Sequence, residues 1–281
     1  MEYQVYSAAN YTVAIEVAKP PNVVFNHIIN DVSKFWPEEF EGESAKLNDE
    51  FVFRSGDSHY SKNKLVEFEP NKKIVWLVTE SIRKPDNFEW TGTKMIFELS
   101  PKGDGTLLKF NYDGFIPENE YDRLIQICDF VIKEKLFNLI ESFTKTIEVT
   151  RSAQDVFNCI KEVPNWWSND FEGSSNQLDD EFIIHHPERH YSKQKLVEVI
   201  PDKKIVWLVT ESRLHWLQND KHEWTNTKII FEMSTDNSNT ILHFAHEGLV
   251  PGKECYEMCS KGWSTVIGDW LFNYINNRKE N

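Results

Sequence analysis

The sequence predicts two similar α+β domains in tandem, each with an antiparallel sheet packed against one long C-terminal helix. The main observation is a repeat: Lys72–Ser81, which reads KKIVWLVTES, recurs without change as Lys203–Ser212. In both halves, segments rich in β-branched and aromatic residues follow one another across short turns, a pattern typical of antiparallel strands. Each half also closes on a long segment with apolar residues at helical spacing.

Further matches flank the repeated strand in the same order. They are Phe40–Gly42 with Phe171–Gly173, Asp49–Phe51 with Asp180–Phe182, His59–Lys62 with His190–Lys193, Lys64–Glu67 with Lys195–Glu198, and Glu89–Thr91 with Glu223–Thr225. The copies lie much farther apart than the ~20–50 residues of a solenoid unit, which indicates a duplicated domain. We therefore expect domains at 1–143 and 144–281, each long enough to bury its own core.

The first domain opens with a short alternating strand at Thr12–Val17. Pro20 and Pro21 end this strand. Pro21 suits the first turn of a helix, because a backbone N–H there would have no partner within the helix. The apolar face of that helix consists of Val23, Val24, His27 and Ile28. After it come a brief turn at Phe35–Pro37 and five strands, at Glu50–Arg54, Tyr60–Phe68, Lys73–Glu80, Thr91–Leu99 and Thr106–Phe115.

One strand indicates that a single face of the sheet is buried. Its inward residues are Thr93, Met95, Phe97 and Leu99, and they alternate with Lys94 and Glu98. The segment Glu118–Phe143 contains neither proline nor glycine and supplies a helix to cover the apolar face. The stripe of that helix, at spacings of three and four, is Tyr121, Ile125, Cys128, Ile132, Leu136, Leu139 and Phe143.

The second domain repeats this order. Its predicted elements are a helix at Ala153–Ile160, a turn at Trp166–Trp167, strands up to Gly248, and a closing helix from about Glu254. The stripe of the closing helix is Tyr256, Trp263, Ile267, Leu271 and Tyr274. We expect the polar tail Asn276–Asn281 to be frayed.

A strand, two small helices, a run of antiparallel strands and one long final helix together make a helix-grip fold. In the second domain the order of motifs is Gly173, Phe182, Lys195–Pro201, Ile205–Trp207, Thr227–Phe231, Thr240–Phe244, Gly248 and Gly262–Trp263. This order resembles the SRPBCC superfamily (START and birch-pollen-allergen relatives), in the branch named after the C-terminal domain of the activator of the heat-shock protein 90 ATPase. The resemblance covers nearly the whole chain, twice. In the first domain Ile127 and Cys128 stand in place of the family's Gly-Trp pair.

The resemblance implies a deep, mostly apolar cavity between the sheet and the long helix. Members of the superfamily bind hydrophobic molecules or partner proteins, and only some branches catalyse reactions. On this basis the candidate ligand-binding residues of the second domain are Trp167, His190, Trp207, Trp224, His246, Cys259 and Trp263. Their counterparts in the first domain are Trp36, His59, Trp76, Trp90, Tyr112 and Cys128.

The tryptophans allow two interpretations. Three of the ten lie in the first half and seven in the second. Core packing is the simpler interpretation, since aromatic residues dominate ordinary cores. Lining of a ligand cavity is the functional one, and the excess favours the second domain as the working site. His246 shares the inward face of Leu242 and Phe244, where it either orients a ligand or is a satisfied core residue.

Composition argues against several classes of protein. The formal net charge is −14 and neither half has a basic stripe, so nucleic acid and anionic membranes are not expected partners. No apolar run approaches the ~18 residues of a membrane helix, and Met1–Asn10 lacks a signal-peptide pattern. The four cysteines form no CxxC pair, and we expect a soluble, cytoplasmic protein.

Neither a metal nor a cofactor is expected. His246 with Cys255 and Cys259 lacks an evident fourth zinc ligand. The cluster of His185, His186, Glu188 and His190 surrounds Pro187, and a solvated turn is the better interpretation. No nucleophile elbow, phosphate loop or metalloprotease motif is present, so no catalytic residue is assigned.

Three functions follow, in order of preference. The first is non-catalytic binding of a small hydrophobic molecule between sheet and helix, mainly in the second domain. The second is a protein-interaction module for a chaperone or another protein, which the resemblance suggests. Val75 and Val206 face away from the repeated tryptophans, so both faces of that strand are apolar and one must pack on something other than the closing helix. The third is an enzyme on a hydrophobic substrate, which requires His190, Glu211 and His246 to converge.

Overall fold

The computed structural model describes residues 10–84, 90–114, 118–236 and 239–278. The chain divides into two compact units, Met1–Glu141 and Ser142–Asn281, here called unit 1 and unit 2. Each unit has its own seven-stranded sheet and its own cluster of buried residues. The expectations that fall on residues 1–9, on Phe115 and on residues 279–281 lie outside the described residues.

Unit 1 follows the predicted order of elements. They are β1 (Tyr11–Val17), α1 (Pro21–Asn30), α2 (Val32–Phe35), β2 (Glu39–Gly42), β3 (Glu50–Ser55), β4 (His59–Glu69), β5 (Lys73–Arg83), β6 (Lys94–Lys102), β7 (Gly105–Asp113), α3 (Glu118–Asp129), a π-helical segment (Phe130–Leu136) and α4 (Phe137–Glu141). The strand expected to begin at Thr91 begins three residues later, because Trp90–Thr93 forms a turn in which the Thr93 N–H bonds to the Trp90 carbonyl at 3.0 Å.

Unit 2 repeats the same order. Its elements are β8 (Phe143–Val149), α5 (Ala153–Lys161), a 3₁₀ turn (Val163–Asn165), β9 (Phe171–Gly173), β10 (Glu181–His186), β11 (His190–Ile200), β12 (Lys204–Leu214), β13 (Lys228–Asp236), β14 (Asn239–Glu247), α6 (Tyr256–Thr265), a π-helical segment (Val266–Leu271) and α7 (Phe272–Asn277).

Both sheets are antiparallel meanders, which confirms the predicted duplicated helix-grip α+β fold. The strand order is β1-β7-β6-β5-β4-β3-β2 in unit 1 and β8-β14-β13-β12-β11-β10-β9 in unit 2. The predicted inward residues of β6, Met95, Phe97 and Leu99, are all buried, and so is Thr93 in the turn before this strand. In each unit the first strand pairs with the last: β1 with β7, and β8 with β14. In the second pair, Phe143 lies opposite His246.

The sequence does not predict the two edge strands β2 and β9. They are three or four residues long, too short for an alternating pattern to show. Both end on a glycine at positive φ, and a Cβ at Gly173 would lie 2.3 Å from the carbonyl oxygen of Glu181. This close approach of two backbones excludes a side chain.

The buried face of α1 is rotated slightly from the predicted one. Val24 and Ile28 are buried as expected, but Phe25 and Ile29 complete the face. Val23 and His27 are half-buried. His27 turns toward the surface, where its Nδ1 lies 2.8 Å from the carboxylate of Asp31.

The long closing helix differs from the prediction in two respects. Each copy contains a π-helical segment, at Phe130–Leu136 and at Val266–Leu271, which a spacing of 3.6 residues does not predict. In unit 1 the helix ends at Glu141 rather than at Phe143. Phe143 instead begins β8, where its N–H donates to the carbonyl of Leu249 at 2.9 Å.

The core of each unit lies between the sheet and the closing helix, with Trp76 or Trp207 fully buried in it. Val75 and Val206 face the other way on the same strands and belong to neither core cluster. They are only 3% and 4% exposed, so they offer no open apolar patch to a partner. Within the described ranges, no helix has both the length and the apolar character needed to cross a membrane.

Candidate functional site

Unit 2 contains a cavity of about 620 Å³ between the sheet and the closing helix. Five of its twelve lining residues are tryptophans, and one helix supplies half of the lining. The lining consists of Trp167, His186, Arg189, His190, Trp216, Trp224, Met258, Cys259, Gly262, Trp263, Val266 and Trp270. The β10–β11 turn, the β12–β13 connection and the closing helix therefore each form part of the wall.

The inner wall is built around Trp263. Its ring stacks on Trp224 at a centroid distance of 5.7 Å and an interplanar angle of 14°, and Trp167 approaches it at 4.9 Å. Trp207 lies behind this wall, stacked on Trp167 at 6.0 Å and 3°. The indole rings thus present flat apolar surfaces to the cavity while Trp207 fills the core beneath them.

His246 fixes the orientation of Trp263. The indole Nε1 of Trp263 donates to Nδ1 of His246 at 2.8 Å, so Nδ1 carries no proton. The proton of the neutral ring is on Nε2, which lies 2.9 Å from the hydroxyl of Thr227. Burial lowers the pKa of His246 to about 3, so the ring is neutral at neutral pH. His246 is a satisfied core residue that positions a wall of the cavity.

His190 borders the cavity and is also neutral. Its Nε2 lies 2.7 Å from the hydroxyl of Ser192, and its ring meets Trp224 edge-on at 4.8 Å. Burial is the main cause that lowers the pKa of His190 to about 3, with smaller contributions from His186 and His185. The interior of the site therefore carries no charge on either histidine at neutral pH.

The mouth of the cavity combines exposed apolar and cationic side chains. Met258 is 58% exposed and Trp270 is 49% exposed. They lie on one side of the closing helix with Gly262 and Val266, at intervals of four residues. A Cβ at Gly262 would meet nothing within 4 Å, so this glycine leaves a gap in that face. Arg189 is exposed at the β10–β11 turn across the cavity.

The corresponding cavity of unit 1 is smaller, at about 140 Å³. Ile127 lines it in place of Gly262, and Cys128 in place of Trp263. Burial raises the pKa of the Cys128 thiol to about 12, so it stays protonated. Tyr112 occupies the place of His246, and its hydroxyl lies 2.9 Å from that of Thr93.

Side chains at the unit 1 cavity contact carboxylates. Nδ1 of His59 lies 2.7 Å from a carboxylate oxygen of Glu38. The guanidinium of Arg83 lies 2.5 Å from the carboxylate of Glu120, and that of Arg123 lies 3.8 Å from it. Carboxylates therefore lie beside the cationic side chains at this rim, whereas the lining of the unit 2 cavity contains none.

Most of the residues named from the sequence border a cavity. In unit 2 these are Trp167, His190, Trp224, Cys259 and Trp263, and in unit 1 they are Trp36, His59, Trp90, Tyr112 and Cys128. Trp76, Trp207 and His246 are fully buried and lie in the core rather than in a lining. Trp76 and Trp207 are held there because Phe97 and Phe231 pack against them at 4.9 and 4.8 Å.

Sequence reasoning missed the residues at the mouth of the unit 2 cavity. The sequence places His186 in a solvated turn and carries no signal for Arg189. Met258 and Trp270 lie outside the predicted apolar stripe, and Gly262 is indicated only by the Gly262–Trp263 motif of the resemblance. The signal that could have found them is a glycine within a helix, which costs about 1 kcal/mol relative to alanine and so calls for a reason.

The groups required for acid–base catalysis do not converge. His190 and His246 both contact Trp224, but Glu211 is exposed on the sheet, 3.5 Å from the hydroxyl of Tyr191. Within the described part of the chain, no three His, Cys, Asp or Glu side chains are grouped closely enough to hold a metal ion.

No family model and no curated protein matches this sequence. Similar solved structures include the Aha1 dimer from Colwellia psychrerythraea, with 18% identity, a TM-score of 0.41, and coverage of 50% of this chain and 98% of that one. The di-domain ARO/CYC StfQ from the steffimycin biosynthetic pathway has 12% identity and a TM-score of 0.41, covering 95% of this chain and 97% of its own.

DynU16, described as a putative protein in the dynemicin biosynthetic locus, has 10% identity and a TM-score of 0.38, covering 95% of this chain and 96% of its own. The similar structures thus include an Aha1 protein and a di-domain protein. At these identities and TM-scores, the similarities indicate nothing about what this chain binds.

Proposed function

We propose that unit 2 binds a small hydrophobic molecule in its cavity and does not transform it. The observation that carries this proposal is the space of about 620 Å³ with five tryptophans in its lining. Ligand sites in proteins have volumes of roughly 300–1,000 Å³ and mostly apolar walls with a few polar groups.

The wall is organised before any ligand arrives. Trp263 is held through its indole N–H by His246, and His246 is held in turn by Thr227. A ligand therefore has little to order when it enters, which favours binding. Burying about 400 Å² of apolar surface of ligand and cavity contributes roughly 10 kcal/mol to the free energy of binding. The loss of translational and rotational freedom on association opposes binding by about 4 kcal/mol or more. We expect dissociation constants of tens of micromolar for a simple aromatic probe.

The lining offers little to a reaction. The two histidines of the lining, His186 and His190, share it with no Asp or Glu. The pKa of His190 is lowered to about 3 by burial, which makes it a weak base at neutral pH. A binding role needs none of these groups to exchange a proton.

The test is a calorimetric titration of the full chain with 9-anthracenemethanol, a neutral three-ring probe. We expect saturable binding that is lost in Gly262→Ile, because this substitution places the unit 1 side chain in the opening. Gly262→Ala is the matched control and should bind normally, since its Cβ meets nothing within 4 Å. Absence of saturable binding by the unaltered chain, across a panel of such probes, would refute the proposal.

A further inference from the structure

We infer that the molecule bound in unit 2 is an organic anion: a planar apolar body with one acidic group, such as a carboxylate, placed against Arg189 at the cavity mouth. This inference rests on the proposed function and specifies the chemistry of its ligand.

The charge of the lining departs from that of the chain. The chain has 45 acidic and 31 basic residues, giving a formal net charge of −14. Among the twelve residues that line the unit 2 cavity, however, none is Asp or Glu. Arg189 is the one permanently charged residue of this lining. A ligand that enters an apolar space past a lone cation is best matched by a single negative charge.

Arg189 is available for such a ligand. Its backbone is fixed, because its N–H donates to the His186 carbonyl at 3.0 Å and its carbonyl accepts from the His215 N–H at 2.8 Å. Its guanidinium, by contrast, makes no hydrogen bond or ion pair with any described residue. The side chain is exposed. Guanidinium groups bind carboxylates through two parallel hydrogen bonds, so this side chain has unused donors where the ligand's polar end would lie.

The two units differ at this position in a way that supports a dedicated role. Ser58 occupies the place of Arg189 in unit 1, and Ser55 that of His186. Both arginines at the unit 1 cavity approach one carboxylate, since Arg83 lies 2.5 Å and Arg123 lies 3.8 Å from Glu120. The cation at the larger cavity thus has no carboxylate partner among the described residues, whereas the cations at the smaller cavity do.

The inner wall favours a flat ligand. Trp224 and Trp263 present nearly parallel rings, 14° apart, against which a fused aromatic body can lie.

A cation is the main rival, since cages of aromatic rings also bind quaternary ammonium groups. Arg189 opposes that choice, because its positive charge would repel such a ligand. No carboxylate among the described lining residues compensates it. The test therefore compares three probes that share one ring system and differ in charge.

The full chain is titrated at low salt with 9-anthracenecarboxylate, 9-anthracenemethanol and a 9-anthracenyl quaternary ammonium salt. We expect the carboxylate to bind about tenfold more tightly than the alcohol, and the preference to shrink in about 0.5 M NaCl. Arg189→Ser, which installs the unit 1 residue, should remove the preference and leave the alcohol's affinity within about twofold. Arg189→Lys should keep part of it, because it keeps the charge without the planar fork.

The outcomes separate this inference from the proposed function. If the alcohol binds but the carboxylate binds no better, or if the preference survives Arg189→Ser, the anion assignment is wrong and hydrophobic binding stands. Tighter binding of the ammonium salt would likewise overturn the assignment in favour of a cation cage. If none of the three probes binds, both proposals fail. Because Arg189 is exposed, the variants should unfold at the same denaturant concentration as the unaltered chain.

Discussion

At the scale of single residues, His246 connects the last strand of unit 2 to the closing helix, because its ring lies between Thr227 and the indole N–H of Trp263. Its place two residues after Phe244 on an alternating strand correctly predicts an inward side chain. The alternation does not predict that the Trp263 indole N–H would cover its Nδ1. That contact joins two elements that only tertiary packing brings together. It identifies His246 as a satisfied core residue rather than a ligand contact, a choice that the local sequence pattern cannot make.

The buried histidines make the stability of unit 2 dependent on pH. The pKa values of His190 and His246 are lowered by burial from 6.5 to about 3. Between these values the unfolded chain binds more protons than the folded one, so stability is full above pH 6.5 and falls as the pH is lowered. Each histidine contributes a slope of up to about 1.4 kcal/mol per pH unit.

We expect the free energy of unfolding of unit 2 to decrease by about 2–4 kcal/mol from pH 7 to pH 5, since each histidine contributes about 2 kcal/mol over this interval. The measurement is denaturant unfolding followed by tryptophan fluorescence, since seven of the ten tryptophans are in unit 2. His190→Gln should show a shallower dependence over the same interval. A free energy that is flat between pH 7 and pH 5 would contradict the burial of neutral histidines.

Gly262 belongs to the Gly262–Trp263 motif of the sequence, but no local pattern explains why a glycine stands there. A glycine weakens a helix, yet nothing packs against this one, so packing alone does not require it. We expect Gly262→Ala to raise the free energy of unfolding by about 0.5–1 kcal/mol in denaturant titrations, because alanine restricts the unfolded chain. A loss of stability would mean that the gap is filled by a neighbour.

At the scale of elements, the closing helix carries both the core and the cavity wall. Its π-helical segment lies in the corresponding place in both units, at Phe130–Leu136 and Val266–Leu271. In unit 2 this segment buries Ile267 and Leu271 while Val266 and Trp270 border the cavity. The turn of a π-helix is wider than that of an α-helix, so its residues depart from the regular spacing of 3.6. The sequence therefore predicts the helix and its buried stripe, but not which residues beside that stripe border the cavity.

Removing one residue from the π-helical segment should leave the core in register. A π-helical turn holds one residue more than an α-helical turn, so deletion of the exposed Asp269 closes the segment into a regular helix without turning α7 relative to α6. The buried residues Leu271 and Ile275 then keep their place in the core. We expect the free energy of unfolding to fall by less than about 1 kcal/mol in denaturant unfolding.

The matched control is deletion of the exposed Lys261 within the regular helix α6, which turns the two parts of that helix by about 100° relative to each other. Cys259 and Trp263 then cannot both stay buried, and we expect a loss of about 2 kcal/mol or more. Equal stability of the two deletions would show that the π-helical segment does not absorb the missing residue.

At the scale of the whole molecule, the repeated strand was the most informative feature of the sequence. Ten identical residues at Lys72 and Lys203 predict two copies of one fold, and both copies have the same strand order. What duplication does not predict is divergence between the copies. The cavity volumes of about 140 and 620 Å³ follow from side chains such as Ile127 and Gly262, which differ within a shared backbone.

Each unit has its own sheet and its own buried cluster, so we propose that each folds independently. Residues 1–141 and 142–281, expressed separately, should each unfold in one cooperative transition, and only the second should bind the anthracene probes. Circular dichroism during denaturant titration measures the first point and calorimetry the second. A disordered isolated unit would show that its fold depends on the rest of the chain.

The most direct measurement is a crystal structure of the full chain soaked with 9-anthracenecarboxylate. Density for the three rings against Trp224 and Trp263, at one site per chain and with the carboxylate at Arg189, is the result this account predicts. A unit 2 cavity filled by the protein's own side chains, with no density for the probe, would contradict this account. Density for the probe in unit 1 instead would also contradict it.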